Sequence, residues 1–328
     1  VRGYGLAPAP GSSGWRAAER WTVALAAGET VTAVGPHDPD EAVKSAGRIL
    51  GNRAVKLKYI NVNLLALASI AQGRGKDPVV RVYLIDTVVG AIVHSAVHKD
   101  ATGPVHLVQT ENLVVYSYWN QRKERQEVAV LELFERTDVE IASAAQMVRF
   151  NSSGSAFDSL RADKPSVHGQ AYLLPQGLRA LAVTTTLRGV TPKAFLAALS
   201  TDQVLSLDRR FLDPRRPTAK PTPEDLEEGL VPYAPVLPVM PTAVLSYNRT
   251  VHRLRAIRVA PARIESTCHM VAFGADIFYT RVTPAKAFDC LGEDFNYLSL
   301  ILSVVALGAA TWAVVWFQAR KDLAAAWK

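Results

Sequence analysis

From Tyr297 to Phe317 (YLSLILSVVALGAATWAVVWF) the chain carries no charged side chain, and no other feature constrains its fold as much. A helix rises about 1.5 Å per residue, so a run of roughly 21 residues covers the ~30 Å hydrocarbon core of a bilayer. Core helices of soluble domains rarely stay uncharged for so long, and the run is therefore predicted to be a transmembrane helix rather than a buried one. Phe295 and Tyr297 on one side and Trp312, Trp316 and Phe317 on the other place aromatic rings near both interfaces, while Gly308-Ala309-Ala310 offers a small face to a neighbouring helix.

The flanking charges set an expected orientation. Glu293 and Asp294 precede the run and Arg320, Lys321 and Lys328 follow it, so residues 318–328 are expected to be a short cytosolic tail. Asp294, Tyr297, Trp316, Arg320 and Lys321 are the predicted membrane-boundary residues. Everything before the run is then expected in a lumenal or extracellular space, where the sequons Asn151-Ser152-Ser153 and Asn248-Arg249-Thr250 would be glycosylated at Asn151 and Asn248. The chain opens on Val1 without a signal-peptide pattern, as expected of a fragment or a processed chain.

At 328 residues, 49% of them hydrophobic, the chain has room for one large globular domain or two modest ones plus an anchor. The net charge of +7 comes from scattered basic residues with no accompanying nucleic-acid-binding motif, so no nucleic-acid partner is expected. Two cysteines, Cys268 and Cys290, exclude a disulfide-rich scaffold and a paired-CxxC zinc module; a single disulfide between them stays open.

Residues 1–50 read as a loop-rich segment, with Leu6–Gly14 and Gly35–Asp40 as Pro- and Gly-rich loops around one short strand near Trp21–Ala26. From Ala54 onward, short Val-, Ile-, Leu- and Tyr-rich runs bounded by Gly, Asp, Asn or Pro carry the signature of strands. Three of them repeat a strand-turn-strand pattern: Val82–Val97, Phe195–Asp208 and Met270–Val282. Such hairpins at irregular spacing favour propeller blades with insertions over a sandwich. The expected fold is thus mainly β, a partial β-propeller over residues 51–290 followed by one transmembrane helix over 297–317. Prolines crowd Leu212–Pro241 too densely for a central strand, and the segment is predicted to be an extended surface excursion.

Residues suited to chemistry are sparse. His94 and His98 are four apart, but in a strand that spacing puts them about 13 Å from each other, too far for one metal ion. No GxSxG elbow, HExxH helix, P-loop or GxGxxG turn occurs. Asp213-Pro-Arg-Arg-Pro217 reads as a solvated basic turn and Glu224–Glu228 as a solvated acidic one. No catalytic, cofactor-binding or metal site is predicted, and the chain is not expected to be an enzyme.

Several longer stretches, taken together, resemble one family. They are GRILGNRAVKLKYINVNLLAL (Gly47–Leu67), YLIDTVVGAIVHSAVHKDATGPVHLVQTENLVVYSYWN (Tyr83–Asn120), LDPRRP (Leu212–Pro217), LVPYAP (Leu230–Pro235) and the stretch from Ser246 to Asp289. In that order they are similar to the C-terminal region of subunit 1 of the endoplasmic reticulum (ER) membrane protein complex, covering most of the chain from Gly47 to its end. The resemblance implies lumenal β-propellers, one C-terminal span and a short cytosolic tail. It further implies a non-catalytic scaffold and anchor in an insertase that places tail-anchored and multi-pass proteins in the ER membrane. Expected partners are the complex's other lumenal and transmembrane subunits, client membrane proteins and the lipid bilayer, with no cofactor. The sequon at Asn248 and the residue Cys268 fall within family-like stretches, whereas Asn151–Ser166 departs from the family. Two other readings share the topology: a membrane-tethered propeller enzyme of the quinoprotein type, to which the LIDTVVGAIVHS hairpin is also similar, and a cell-surface binding module.

Overall fold

The computed structural model describes residues 1–8, 14–72, 77–135, 140–141, 164–285 and 296–326. Asn151, Asp294 and Cys290 lie outside them. The chain divides into two units, Val1–Ala287 and Phe288–Lys328.

The first unit is built of antiparallel strands. β1 (Arg2–Pro8) and β2 (Trp15–Thr22) form a separate ribbon. β3 (Glu29–Pro36) is followed by the short β4 (Gly47–Ile49) and β5 (Val55–Leu57), and then joins β6 (Leu64–Gln72), β7 (Pro78–Asp86) and β8 (Ala91–Lys99) in a first sheet ordered β3-β6-β7-β8. A second sheet is made of β9 (Ala101–Thr110), β10 (Leu113–Asn120), β11 (Arg125–Phe134) and β13 (Ser166–Leu174), while β12 (Glu140–Ile141) pairs with β5 instead. The third sheet is β14 (Leu178–Val183), β15 (Ala194–Leu199) and β16 (Val204–Asp208), and the fourth is β17 (Ala256–Pro261), β18 (Cys268–Phe273) and β19 (Ile277–Val282). The three hairpins read from sequence are β7–β8, β15–β16 and β18–β19.

Side chains alternate across a strand with period two, and here that alternation builds three successive cores. On β10 and β11, Val114, Tyr116, Ala129 and Leu131 pack against Ala66, Val80 and Val82 of the first sheet. Their neighbours Leu113, Val115, Val128 and Val130 turn the other way, onto Phe195, Ala197 and Leu205 of the third. β15 repeats the device, sending Leu196 and Ala198 to Ile257, Met270 and Ala272 of the fourth sheet. A sheet buried on both faces and joined to its neighbours in chain order is the arrangement of consecutive propeller blades.

The structure corrects four expectations. Residues 1–50 are not loop-rich with one strand: β1, β2, β3 and β4 lie there, and β3 completes the first sheet. Pro8 and Pro36 fall at the ends of their strands, where the missing amide donor costs no ladder bond. The strand expected at Trp21–Ala26 instead covers Trp15–Thr22.

The Pro-rich segment is not a surface excursion either. Pro235 and Leu237 exchange backbone hydrogen bonds with Leu173, at 2.7 and 2.8 Å, and Leu230 and Leu237 are buried. Proline lacks a donor but keeps its carbonyl, which is what the Pro235 contact uses. A short helix, α1 (Pro223–Glu228), is capped by a reciprocal Thr222–Asp225 box. Finally, α2 (Tyr297–Ala326) continues past Phe317, so the expected tail is helical through Ala326.

Candidate functional site at the strand ends

Antiparallel pairing brings the connections 37–63, 86–90, 184–193, 208–216 and 262–267 to one end of the four sheets. Charged residues meet there although the strands that bring them are apolar. Glu132, fully buried in the VAVLELF run of β11, receives Arg48 at 3.3 Å and Arg209 at 3.2 Å. Arg48 also contacts Asp213 at 2.5 Å and Glu228 at 2.9 Å, and Arg215 closes on the same Glu228. Lys58 bonds Glu111 at 2.7 Å, and Lys193 reaches Glu41 at 3.0 Å.

Burial opposes the charge on Arg48, but Glu132, Asp213 and Glu228 outweigh it and raise the guanidinium's pKa. Burial would likewise raise the Glu111 carboxyl, yet Lys58 and Arg209 hold it below its ordinary value. Burial keeps the Lys58 ammonium below its own. Five cations (Arg48, Lys58, Lys193, Arg209, Arg215) pair with five carboxylates (Glu41, Glu111, Glu132, Asp213, Glu228), and the buried Lys56 lies beside them over the Phe134 ring that Arg215 also covers. A cavity of about 650 Å³ opens above the cluster, lined among others by Arg48, Lys58, Pro192, Arg209 and Pro284.

This cluster was not legible in the sequence. The "solvated" turns are its building blocks: Asp213 and Arg216 are buried, and Glu228 is an ion-pair partner rather than a surface acid. Arg216 donates to the carbonyls of Phe211, Val231 and Pro232 and lies over the rings of Tyr172 and Tyr233, tying LDPRRP to LVPYAP. The available signal was the placement of Lys56 in β5, Lys58 just after it and Glu132 in β11, each among apolar neighbours.

Of the residues singled out from sequence, His94 and His98 share a face of β8, as the strand reading required, and His98 shares a 2.7 Å hydrogen bond with the Tyr116 hydroxyl. Among the described residues no group of three or more His, Cys, Asp or Glu is placed to hold a metal ion. Asn248 is exposed in a turn at the opposite end of the sheets, beside Tyr247, whose carbonyl accepts from Gln203 at 2.9 Å. Cys268 is a free, fully buried thiol, and burial pushes its pKa up to about 11.

α2 is the second candidate site. Tyr297–Leu323 is long and apolar enough to cross a membrane, and none of its apolar window is buried in the protein. Asn296 caps it through a 3.0 Å bond to the Ser299 amide, a role the sequence reading missed. Ser303 and Thr311 return their hydroxyls to the carbonyls of Ser299 and Leu307, so the helix presents no unpaired hydroxyl donor there. At its far end the Arg320 guanidinium lies 3.9 Å from the centre of the Trp316 ring, and Lys321 follows on the same helix.

The family model described as the second β-propeller of ER membrane protein complex subunit 1 matches residues 1–285. The chain belongs to this family. ER membrane protein complex subunit 1 of Xenopus laevis is 39% identical over 94% of the chain and 30% of its own length, and that of Gallus gallus is 41% identical over 88% and 28%. The Schizosaccharomyces pombe protein of the same name is 32% identical over 94% of the chain and 34% of its own length. The chain thus spans about 30% of the vertebrate relatives it matches. The matched region holds the four blade-like sheets and the ion-pair cluster, and α2 follows it.

Proposed function

We propose that the chain is a non-catalytic lumenal scaffold and membrane anchor of the ER membrane protein complex, supporting insertion of tail-anchored and multi-pass proteins into the ER membrane. In this reading the β unit lies in the lumen, α2 crosses the bilayer once and the C-terminus is cytosolic. The family membership carries the assignment to the complex. The scaffold role is supported by the cluster at the strand ends, whose charged groups bind one another and tie separate segments of chain together. Exposed Asn248 and Arg320 with Lys321 at the far end of α2 fit the proposed orientation.

Isolation of the tagged full-length protein from ER membranes in mild detergent tests it. Stoichiometric membrane subunits in the isolate are the expected result, and recovery as a lone monomer overturns the scaffold. An endoglycosidase-sensitive mass shift that disappears in Asn248→Gln tests the orientation separately.

A further inference from the structure

Two neighbouring connections at the cluster end form a rigid, partly apolar knob. The loop 184–193 exposes Leu187 (60%) and Val190 (64%), and the adjoining loop 262–267 exposes Ile264. The backbone that carries the first two is held in place. The Glu265 carboxylate accepts the amides of Arg188 at 2.7 Å and Val190 at 2.9 Å, and its carbonyl accepts the Thr191 hydroxyl at 3.0 Å. Gly189 adopts a left-handed φ of 64° and packs so tightly on the Ala42 carbonyl that no side chain fits there.

Because Glu265 is engaged by the backbone, the outward-facing ionic groups of the two loops are the cations Arg188 and Arg263. Aliphatic tips flanked by guanidinium groups match the bilayer interface, where alkyl groups enter the acyl boundary and arginine meets headgroup phosphate. Neighbouring connections of the same end add exposed Val62, Val88 and Val89. At the opposite end the turns β8–β9, β10–β11, β13–β14, β15–β16 and β18–β19 expose no large aliphatic side chain, although Tyr247 (76%) is exposed there beside Asn248.

We infer that Leu187, Val190 and Ile264, with Arg188 and Arg263, form a membrane-contact knob that seats this end of the β unit on the bilayer surface. Pro284 and Ala285 line the cavity at this same end, and in the sequence ten residues separate Ala285 from Asn296, which caps the apolar helix. So short a tether gives the bilayer a high effective concentration, and few inserted side chains are then needed for contact. Aromatic side chains, which dominate protein–protein hot spots, are missing from the two loops, and this favours lipid over a protein partner.

The inference rests on α2 being the membrane anchor, and the test separates the two. A photoreactive residue is placed at position 187, 190, 201 or 305 of the full-length protein in ER-derived membranes, and the adducts are identified after irradiation. Lipid adducts are expected at 305 within α2 and at 187 and 190. Their yield should be at least about ten-fold that at 201 in the β15–β16 turn, a ratio that one buried aliphatic side chain sustains. Adducts at 305 alone overturn the knob and leave the anchor standing, as do protein adducts in place of lipid at 187 and 190. Absence of lipid adducts at 305 overturns both.

Discussion

The second and third sheets and the first and fourth are made from the same kinds of residue, yet they differ in what covers them. The inner pair is buried on both faces, with Phe195 and Leu196 of β15 fully enclosed on opposite sides. The fourth sheet leaves one face open, whereas β6 of the first buries Ala66 and Ala68 on one face and Leu67 and Ser69 on the other. On the fourth, Ile277 (79% exposed) and Tyr279 (56%) stand on the open face beside Val271 and Phe273. Apolar side chains on both faces of a strand are covered where its sheet lies between two others, as that of β15 does.

The sharpest way to break the comparison is to truncate one side chain on each kind of face. Phe195→Ala should destabilise the first unit by about 4 kcal/mol, since it removes a ring from a closed core. Tyr279→Ala should change residues 1–328 by less than about 0.5 kcal/mol. If further blades cover the fourth sheet in the full-length protein, Tyr279→Ala there should cost about 3 kcal/mol. Denaturant melts of both lengths in detergent measure all three, and equal costs of Tyr279→Ala in the two lengths would show that this face stays open.

Next in size is the cluster, which binds inner to outer elements through charge. Arg48→Met leaves Glu132, Asp213 and Glu228 without their shared cation and should cost about 3 kcal/mol. The double variant Arg48→Met with Asp213→Asn should recover part of that loss, because Asp213 pairs with Arg48 at 2.5 Å and otherwise has Arg215 only at 3.9 Å, whereas Glu132 keeps Arg209 at 3.2 Å. A double-mutant cycle on the same melts reads it.

Acid acts on the gap between the first and second sheets. Burial holds His98 below its ordinary value, only partly offset by Glu127, and His94 on the same face of β8 is depressed in the same way. A histidine depressed in the folded state binds its proton more readily when unfolded. Its contribution is therefore present above the unfolded pKa of about 6.5 and is lost as the pH falls toward the folded value. Each such histidine steepens the loss by at most about 1.4 kcal/mol per pH unit. His98→Gln should flatten the stability profile between pH 6.5 and 5.5, whereas an unchanged slope would place the proton uptake elsewhere.

Legibility followed locality. The uncharged run of α2 and the three hairpins are patterns of neighbouring residues, and each reappeared where the sequence placed it. The family stretches likewise located the propeller region. By contrast, Glu132 and Arg48 are 84 residues apart and Arg48 and Glu228 are 180 apart, and no period or spacing links such pairs. The prolines of 212–241 were read through the donors they lack, while the structure uses the carbonyl of Pro235 and the buried side chains of Leu230 and Leu237. β1 escaped notice because its Gly3, Gly5 and Pro8 are poor strand formers; its ribbon with β2 is tied to the first sheet by the Trp21 indole of β2, which donates to the Thr87 carbonyl at 2.8 Å.

The smallest effect tests whether the Pro-rich segment belongs with the covered parts of the molecule or the open ones. α1 has no buried residue of its own, but its Glu228 enters the cluster and its Glu224 carbonyl sits so close to Gly51 that a side chain at Gly51 would displace it. Thr222→Ala removes the reciprocal cap and should cost about 1 kcal/mol if α1 is locked to the cluster. A helix of six residues is too short to stand alone, so a free α1 would fray in the native state and the substitution would then cost nothing. Hydrogen exchange at the Asp225 amide distinguishes the cases: protection that Thr222→Ala abolishes joins α1 to the inner sheets, and an amide already unprotected in the unmodified chain assigns it to the open surface.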